Sequence, residues 1–282
     1  MGKKEGKSVA FANVKGGTGK TTTCVNVAGC LAKRGNQVLV VDFDPQGNAT
    51  SGLGIDGRCL TYSMYDAFLN QCQGYSGVPI TKVILETDIE NIHIAPSVLN
   101  LGVAPMLLQE TKDKTGILQR ILEPVQRFYD YILIDVPSDA GLFLFNSLRA
   151  TYQVVVPIDP GIFAWESLEH LKAYCCDLVE NKGHSIKDWT IVLNKTVSQT
   201  RQSRKSSQLN PSEEIESSLQ DRSDAVFVVP YSVLVYRSQQ EGLPISHYTN
   251  KASKIGKAYA AIATHLTRVS HSTEIPDREP SL

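Results

Sequence analysis

Ser8-Val9-Ala10-Phe11-Ala12-Asn13-Val14-Lys15-Gly16-Gly17-Thr18-Gly19-Lys20-Thr21-Thr22-Thr23 decides how the rest of the chain is read. Its apolar first half, Val9 to Val14, has the pattern of a buried strand. Gly16-Gly17-Thr18-Gly19 breaks that strand into a turn, and a helix beginning near Lys20 carries Val25, Val27, Ala28 and Leu31. Strand, glycine loop and helix together make a phosphate cradle. Glycines let successive backbone N–H groups converge without Cβ clashes, and the helix N-terminus adds the positive end of its dipole. In that geometry Lys20 reaches the β- and γ-phosphates and the Thr21 hydroxyl ligates Mg²⁺. A ligand-free turn is the plainer alternative, and the Gly19-Lys20-Thr21-Thr22 ending argues against it. The spacing departs from G-x-x-x-x-G-K-[ST]: Val14 stands where the first glycine belongs, and Lys15 directly precedes the glycine pair.

The frame around this loop is ordinary. At 282 residues and a net charge of −1, the chain suits one sizeable α/β domain, and any nucleic-acid contact must be a local patch. No apolar run approaches the ~20 residues that span a bilayer, and the charged N-terminus leads into a strand, which predicts a cytoplasmic protein. The six cysteines form no C-x-x-C pair and have no histidine at metal-ligand spacing, so they are read as reduced thiols.

Further apolar runs end in acids. Asn36 to Asp44 predicts a second strand closing in Asp42-Phe43-Asp44, which places Asp44 at the carboxyl edge of a parallel sheet, where ligands bind. Tyr129 to Asp135 predicts another, and four apolar residues followed by Asp135 have the Walker B form, with the carboxylate holding Mg²⁺ through water. Between them lie a short helix at 61–69, a strand from Ile89 to Pro96 containing His93, and helices around 98–109 and 115–127, the second kinked or ended by Pro124, with Met106, Leu107 and Leu108 assigned to the core. Beyond Asp135 the pattern predicts strands at Gln153–Asp159, Trp189–Lys195 and Ala225–Pro230. It also predicts a long helix from Gly161 to about Glu180 and a last helix from Lys251 to Arg268. Asn194-Lys195 is no guanine motif, because Val197 stands where that motif needs Asp.

Lys15-Gly16-Gly17-Thr18-Gly19-Lys20-Thr21-Thr22 resembles the deviant Walker A box of the ParA/MinD superfamily. The run from Asp42 to Gly54, the segment Ile89–Ser97 and Gly242-Leu243-Pro244 resemble the ParA branch as well. The resemblance covers Ser8 to about Leu266. It implies a P-loop fold with a twisted, mostly parallel sheet between helices on both faces. This forms one ATPase domain over residues 1–268, with a disordered polar tail at 269–282. It implies that ATP and Mg²⁺ are bound by the loop residues Lys15 to Thr22 together with Asn194 and Pro230 near the base. It further implies a homodimer formed on ATP, in which Lys15 reaches the partner's nucleotide and Asp44 positions Mg²⁺ and the attacking water. The loop after Asp135 departs from the family: Pro137 and Gly141 remain, but Ser138 replaces a proline and Asp139 adds a carboxylate. The Arg-x-Ser-Glu-Ala run expected before Gly242 is not recognisable.

Residues 196–212 are rich in hydroxyls and carry Arg201, Arg204 and Lys205 with no acid before Glu213, a composition suited to phosphate backbones without base readout. Lys251, Lys254 and Lys257 recur every three residues and extend that patch or form a plain solvated face. By resemblance the patch binds nonspecific double-stranded DNA in the ATP state, with nucleoid association, and a ParB-like adaptor stimulates hydrolysis. A MinD-like membrane cycle is the alternative. The segment Glu274–Pro280, with two prolines and three acids, opposes the amphipathic helix it needs, so no membrane partner is expected. An iron-protein-type electron donor lacks cysteines near the Walker B strand. A nucleotide-gated switch with little hydrolysis is the remaining alternative, because of Ser138 and Asp139.

Overall fold

The computed structural model describes residues 6–108, 112–161, 164–182, 184, 186–196, 225–249 and 253–268. Among them, eight strands form one sheet in the order β3-β4-β2-β5-β1-β6-β7-β8. The strands are β1 (Lys7–Phe11), β2 (Val38–Asp42), β3 (Leu85–Glu86), β4 (Ile92–Ala95), β5 (Tyr131–Asp135), β6 (Gln153–Ile158), β7 (Asp188–Thr196) and β8 (Ala225–Pro230). Every neighbouring pair is parallel except the short edge pair β3–β4.

Parallel strands covered on both faces read as continuous apolar runs, and β2 and β5 are buried along their whole length. The alternation of side chains divides the core in two. Val9 and Phe11 of β1 face one cluster with Leu133 of β5, whereas Ala10 faces the other with Ile132 and Ile134. The first cluster is closed by helices α1 (Lys20–Ala32) and, near the C-terminus, α7 (Val233–Gln240), α8 (Ile245–Tyr248) and α9 (Lys254–Arg268). The opposite face is covered by α3 (Met64–Leu69), α4 (Ile117–Leu122), α5 (Leu142–Arg149) and α6 (Ala164–Lys182), and the short α2 (Asn48–Gly52) follows the β2 loop. The expected α/β architecture is therefore observed, with each predicted strand found near its predicted span.

Two expectations are corrected. The helix expected at 98–109 is a 3₁₀ helix, Leu99–Leu108, with Pro105 inside it, where the missing N–H and ring clash oppose α-helix. With three residues per turn, Val103 and Met106 share one face. Met106, assigned to the core, is 70% exposed, while Leu108 is fully buried and Leu107 packs on the core edge. The helix expected at 115–127 follows a 3₁₀ turn at Lys114–Gly116 and ends as α4 at Leu122, just before Pro124 as expected, with a second turn at Gln126–Phe128 beyond it.

Candidate functional site

The carboxyl ends of β1, β2 and β5 set the site. Register pairs Asp135 with Phe11 on one side and with Asp42 on the other, so two carboxylates from adjacent strands end beneath the glycine loop. The loop turns through left-handed glycines at Gly17 (φ 74°) and Gly19 (φ 93°), and α1 begins at the next residue. A Cβ at Gly19 would overlap the Asn194 amide. Thr18 is fully buried, Gly16 and Gly17 are exposed, and Thr21 and Thr22 are half-buried at the first turn of α1.

Lys20 is only 6% exposed. Its ammonium donates to the Lys15 carbonyl at 3.3 Å and to the Ser138 hydroxyl. Burial lowers its pKa, and the negative charges of Asp135, Asp44 and Asp139 oppose that shift. Asp135 is fully buried, and neither carboxylate oxygen holds a hydrogen bond among the described residues. Burial raises its pKa well above the ordinary carboxylate range, Asp42 and Asp44 add to the rise, and the neighbouring Thr21 hydroxyl and Lys20 charge oppose it. Asp42 is pushed up to about 6 by burial, despite accepting from the Thr50 amide at 2.7 Å and the Thr50 hydroxyl at 2.6 Å. Asp44 is half-buried and accepts from the Gln46 amide at 2.9 Å, the turn-capping geometry of a strand end.

An orphaned buried carboxylate beside a threonine hydroxyl fits a hard divalent cation, which takes oxygen ligands. Among the described residues no group of three or more His, Cys, Asp or Glu could hold a metal alone. A cation here must draw its remaining ligands from water and phosphate, as Mg²⁺ does.

Lys15 lies at the loop's outer edge. Its amide donates to Asn13 Oδ1 at 2.9 Å and its ammonium reaches Asp159 at the end of β6, at 2.9 and 3.2 Å. The pair is 34% exposed on each side, so it holds the lysine with little energy. Asn194 and Lys195 sit at an irregularity in the β7–β8 register between Leu193 and Thr196, with Lys195 at φ 56°. Such a bulge re-aims side chains. Asn194 donates to the Thr18 carbonyl at 2.9 Å and Lys195 donates to the Gly17 carbonyl, so both grip the loop. Pro230 ends β8, paired with Thr196. From α7, Gln239 donates to the Thr22 hydroxyl at 3.0 Å.

The structure thus brings Lys15, Gly16 to Thr22, Asp44, Asp135 and Asn194 around one loop. Lys254 and Lys257 are exposed on α9. Arg201, Arg204, Lys205, Lys251 and the 269–282 tail lie outside the described residues. Sequence reasoning missed Asp42, Asp159, Lys195 and the contact of Ser138 with Lys20. An acid closing an apolar strand was the available signal for Asp42 and Asp159; the other two follow from tertiary packing.

A mostly parallel sheet with a glycine loop leading into α1, a buried lysine and an acid-terminated neighbouring strand defines a P-loop nucleotide-binding protein. Residues 6–187 match a family described as AAA domain. The sporulation initiation inhibitor protein Soj of Bacillus subtilis (strain 168) is 42% identical over 166 residues, 59% of this chain and 63% of Soj. The chromosome-partitioning ATPase Soj of Treponema pallidum (strain Nichols) is 39% identical over 163 residues, 58% of this chain and 61% of that protein. The match therefore spans less than two thirds of either relative. An uncharacterized protein of Pseudomonas putida is 31% identical over 271 residues, 93% of this chain and 95% of its own length. Among solved structures, the ATP complex of a Cyanothece McdA variant superposes with a TM-score of 0.77 at 18% identity, over 96% of this chain and 99% of that one. Cobyrinic acid a,c-diamide synthase from Mycobacterium smegmatis, with bound ATP analog and magnesium, gives 0.73 at 24% identity over 93% and 94%. The chain belongs to this AAA-domain family.

Proposed function

We propose that this chain is an ATP-dependent positioning ATPase of the ParA kind. In this reading it dimerises on Mg-ATP, binds nonspecific DNA in that state, and moves a plasmid, chromosome region or protein cargo with an adaptor that stimulates hydrolysis. The observation that carries the nucleotide reading is the orphaned, buried Asp135 carboxylate beside Lys20, Thr21 and the glycine loop. Its surroundings hold too much negative charge to be satisfied by Lys20 alone, and Mg²⁺ with a triphosphate supplies the complement.

Phosphoryl transfer depends on positioning and charge neutralisation. Bound Mg²⁺ supplies charge neutralisation at the phosphates, and Thr21 with Asp135, through water, would hold it. Loop amides and Lys20 neutralise the phosphate chain. Lys20 must first leave the Ser138 hydroxyl, a step that slows turnover and keeps a switch with little hydrolysis as the second reading. Asp44 orients water at the loop edge. Lys15 completes the site only after leaving Asp159 for the partner protomer's nucleotide. Asn194 and Pro230 border the base. Arg201, Arg204, Lys205, Lys251 and Lys254 supply the DNA contacts, which places the working protein on the nucleoid in the cytoplasm. No described helix is long and apolar enough to cross a membrane.

The test is binding to random-sequence duplex with Mg-ATP, with ADP and without nucleotide, across a salt series. Binding in ATP alone that weakens steeply with salt and on removal of Arg201, Arg204 and Lys205 is expected; no binding in any state sinks the DNA cycle. Lys15→Ala is expected to keep ATP binding and lose stimulated hydrolysis, and hydrolysis equal to the parent's would remove Lys15 from the mechanism.

A further inference from the structure

The C-terminal end of α1 carries a second concentration of charge, away from the glycine loop. A cavity of about 310 Å³ opens between this end, α8 and the first turns of α9, within the size range of small-molecule sites. Lys33, Arg34 and Lys257 line it together with the hydroxyl residues Ser246, Thr249 and Ser253, and among the described residues no acid lines it. Its apolar lining comes from Cys30, Ile245 and Ala260.

Among the described residues the cations have no anionic counterpart. Lys33 donates to the Ser246 carbonyl at 2.9 Å, and Arg34 donates to the Ala260 carbonyl at 2.8 Å and the Thr264 hydroxyl at 2.7 Å. These neutral acceptors fix the side chains without cancelling their charge. None of the three cations forms an ion pair among the described residues. Ser253 caps α9 by accepting from the Gly256 amide at 3.0 Å, so the positive end of a 15-residue helix faces the same space.

Neighbouring groups register this field. Lys33 adds to the burial that lowers the His247 pKa. The Cys30 thiol is pushed up to about 11 by burial, with Arg34 and Lys33 pulling the other way.

We propose that this cleft is a phosphate-binding site separate from the glycine loop, taking the oxyanion between Lys33, Arg34 and Lys257 and an organic substituent against Cys30, Ile245 and Ala260. Ammonium and guanidinium groups with hydroxyl donors and no competing carboxylate are the donor set that phosphate oxygens require. The volume exceeds that of bare phosphate, which favours a phosphate ester. The inference stands whether or not the chain hydrolyses ATP.

Cys30 provides the readout. The full chain, kept in saturating Mg-ADP so that the glycine loop is filled, is treated with a small thiol reagent, and modification is read peptide by peptide. Exposed Cys59, outside the cavity lining, is the internal control. Phenyl phosphate at ten times its dissociation constant is expected to slow Cys30 modification about tenfold and leave Cys59 unchanged, with uncharged phenol giving no protection. In the Lys33→Gln, Lys257→Gln double variant the protection constant is expected to weaken on the order of tenfold per ammonium removed, with Mg-ADP affinity and unfolding midpoint retained as the check on folding. A parallel arm replaces the ester with a short random duplex. Protection by the ester identifies a free phosphate ester as the source, and protection by the duplex alone identifies the DNA backbone. No charge-dependent protection by either probe, or equal protection in the double variant, overturns the proposal.

Discussion

Helix α1 begins and ends in opposite electrostatic surroundings. At its N-terminal end the glycine loop and Lys20 face Asp42, Asp44, Asp135 and Asp139, and burial drives the pKa values of Asp42 and Asp135 upward. At its C-terminal end Lys33 and Arg34 face hydroxyls and carbonyls with no lining acid among the described residues, and a nearby histidine has its pKa driven down. Burial is the first cause of all three shifts; neighbouring carboxylates add to it at Asp42 and Asp135 and Lys33 adds to it at His247, so a cation suits the one end and an anion the other. A P-loop needs the first arrangement because it receives a metal together with its polyphosphate. The other end is matched to an anion that arrives without one.

The largest effect should come from Lys20. Lys20→Met removes the buried ammonium while leaving the Asp135, Asp42 and Asp44 cluster in place, a loss on the order of 3 kcal/mol. Affinity for Mg-ATP is expected to fall more than about a hundredfold, measured by calorimetry. Lys33→Met at the other end should leave that affinity within about twofold, as expected for a site outside the loop. Equal losses in the two variants would mean that the ends of α1 are one coupled site, and the comparison would fail.

Asp42 sharpens the acidic end. Its pKa is raised from 3.8 to about 6, so the folded state holds this proton more tightly than the unfolded chain. Its contribution to stability is full below 3.8 and is lost as pH rises through about 6. The displacement corresponds to a loss on the order of 3 kcal/mol at about 1.4 kcal/mol per pKa unit. In urea unfolding without nucleotide or divalent cation, the parent should therefore lose stability relative to Asp42→Asn between about pH 4 and 6.5. The asparagine keeps an oxygen for the Thr50 donors and cannot ionise. Mg-ADP should shrink the difference, because the cation favours the ionised pair. A parent and variant that track each other across this range would show that Asp42 ionises without cost.

The acidic end was largely legible in the sequence and the basic end was not. Lys20, Thr21, Asp44 and Asp135 stand at chain punctuation, where an apolar run stops at a glycine or an acid, and such breaks survive without knowledge of packing. The pair Asp42 and Asp44 shows the limit. Both close the same strand, and only burial with the Thr50 contacts tells which one lies next to Asp135. Ser138 was visible as a departure, but its hold on Lys20 spans 118 positions of chain and needed the fold. Lys33 and Arg34 carry no motif in the local sequence, and their setting comes from α8 and α9, more than 200 positions away. The 3₁₀ helix at Leu99–Leu108 departs from the expected helix for a local reason, because Pro105 lacks the N–H that an α-helix needs.

The smallest effect tests the basic end without perturbing it. His247 lies beside Ser246, with its Nδ1 3.0 Å from the Ser246 hydroxyl, and its pKa is lowered first by burial and then by Lys33. A histidine whose folded pKa lies below 6.5 contributes stability that is present above pH 6.5 and is lost as pH falls through the folded value. The Lys33 share of this is a surface-range effect, below about 1 kcal/mol, and is better followed by the imidazole proton resonance than by unfolding. Lys33→Gln is expected to move the titration upward, and phenyl phosphate added to the parent should move it upward as well, because an anion between the cations cancels the charge that depresses the base. Agreement between the two shifts would tie the histidine, the lysine and the anion to one field. A titration that responds to the lysine but not to the phosphate would leave the cations uncompensated at every probe concentration, and the contrast between the two ends of α1 would reduce to a difference in charge with no difference in ligand.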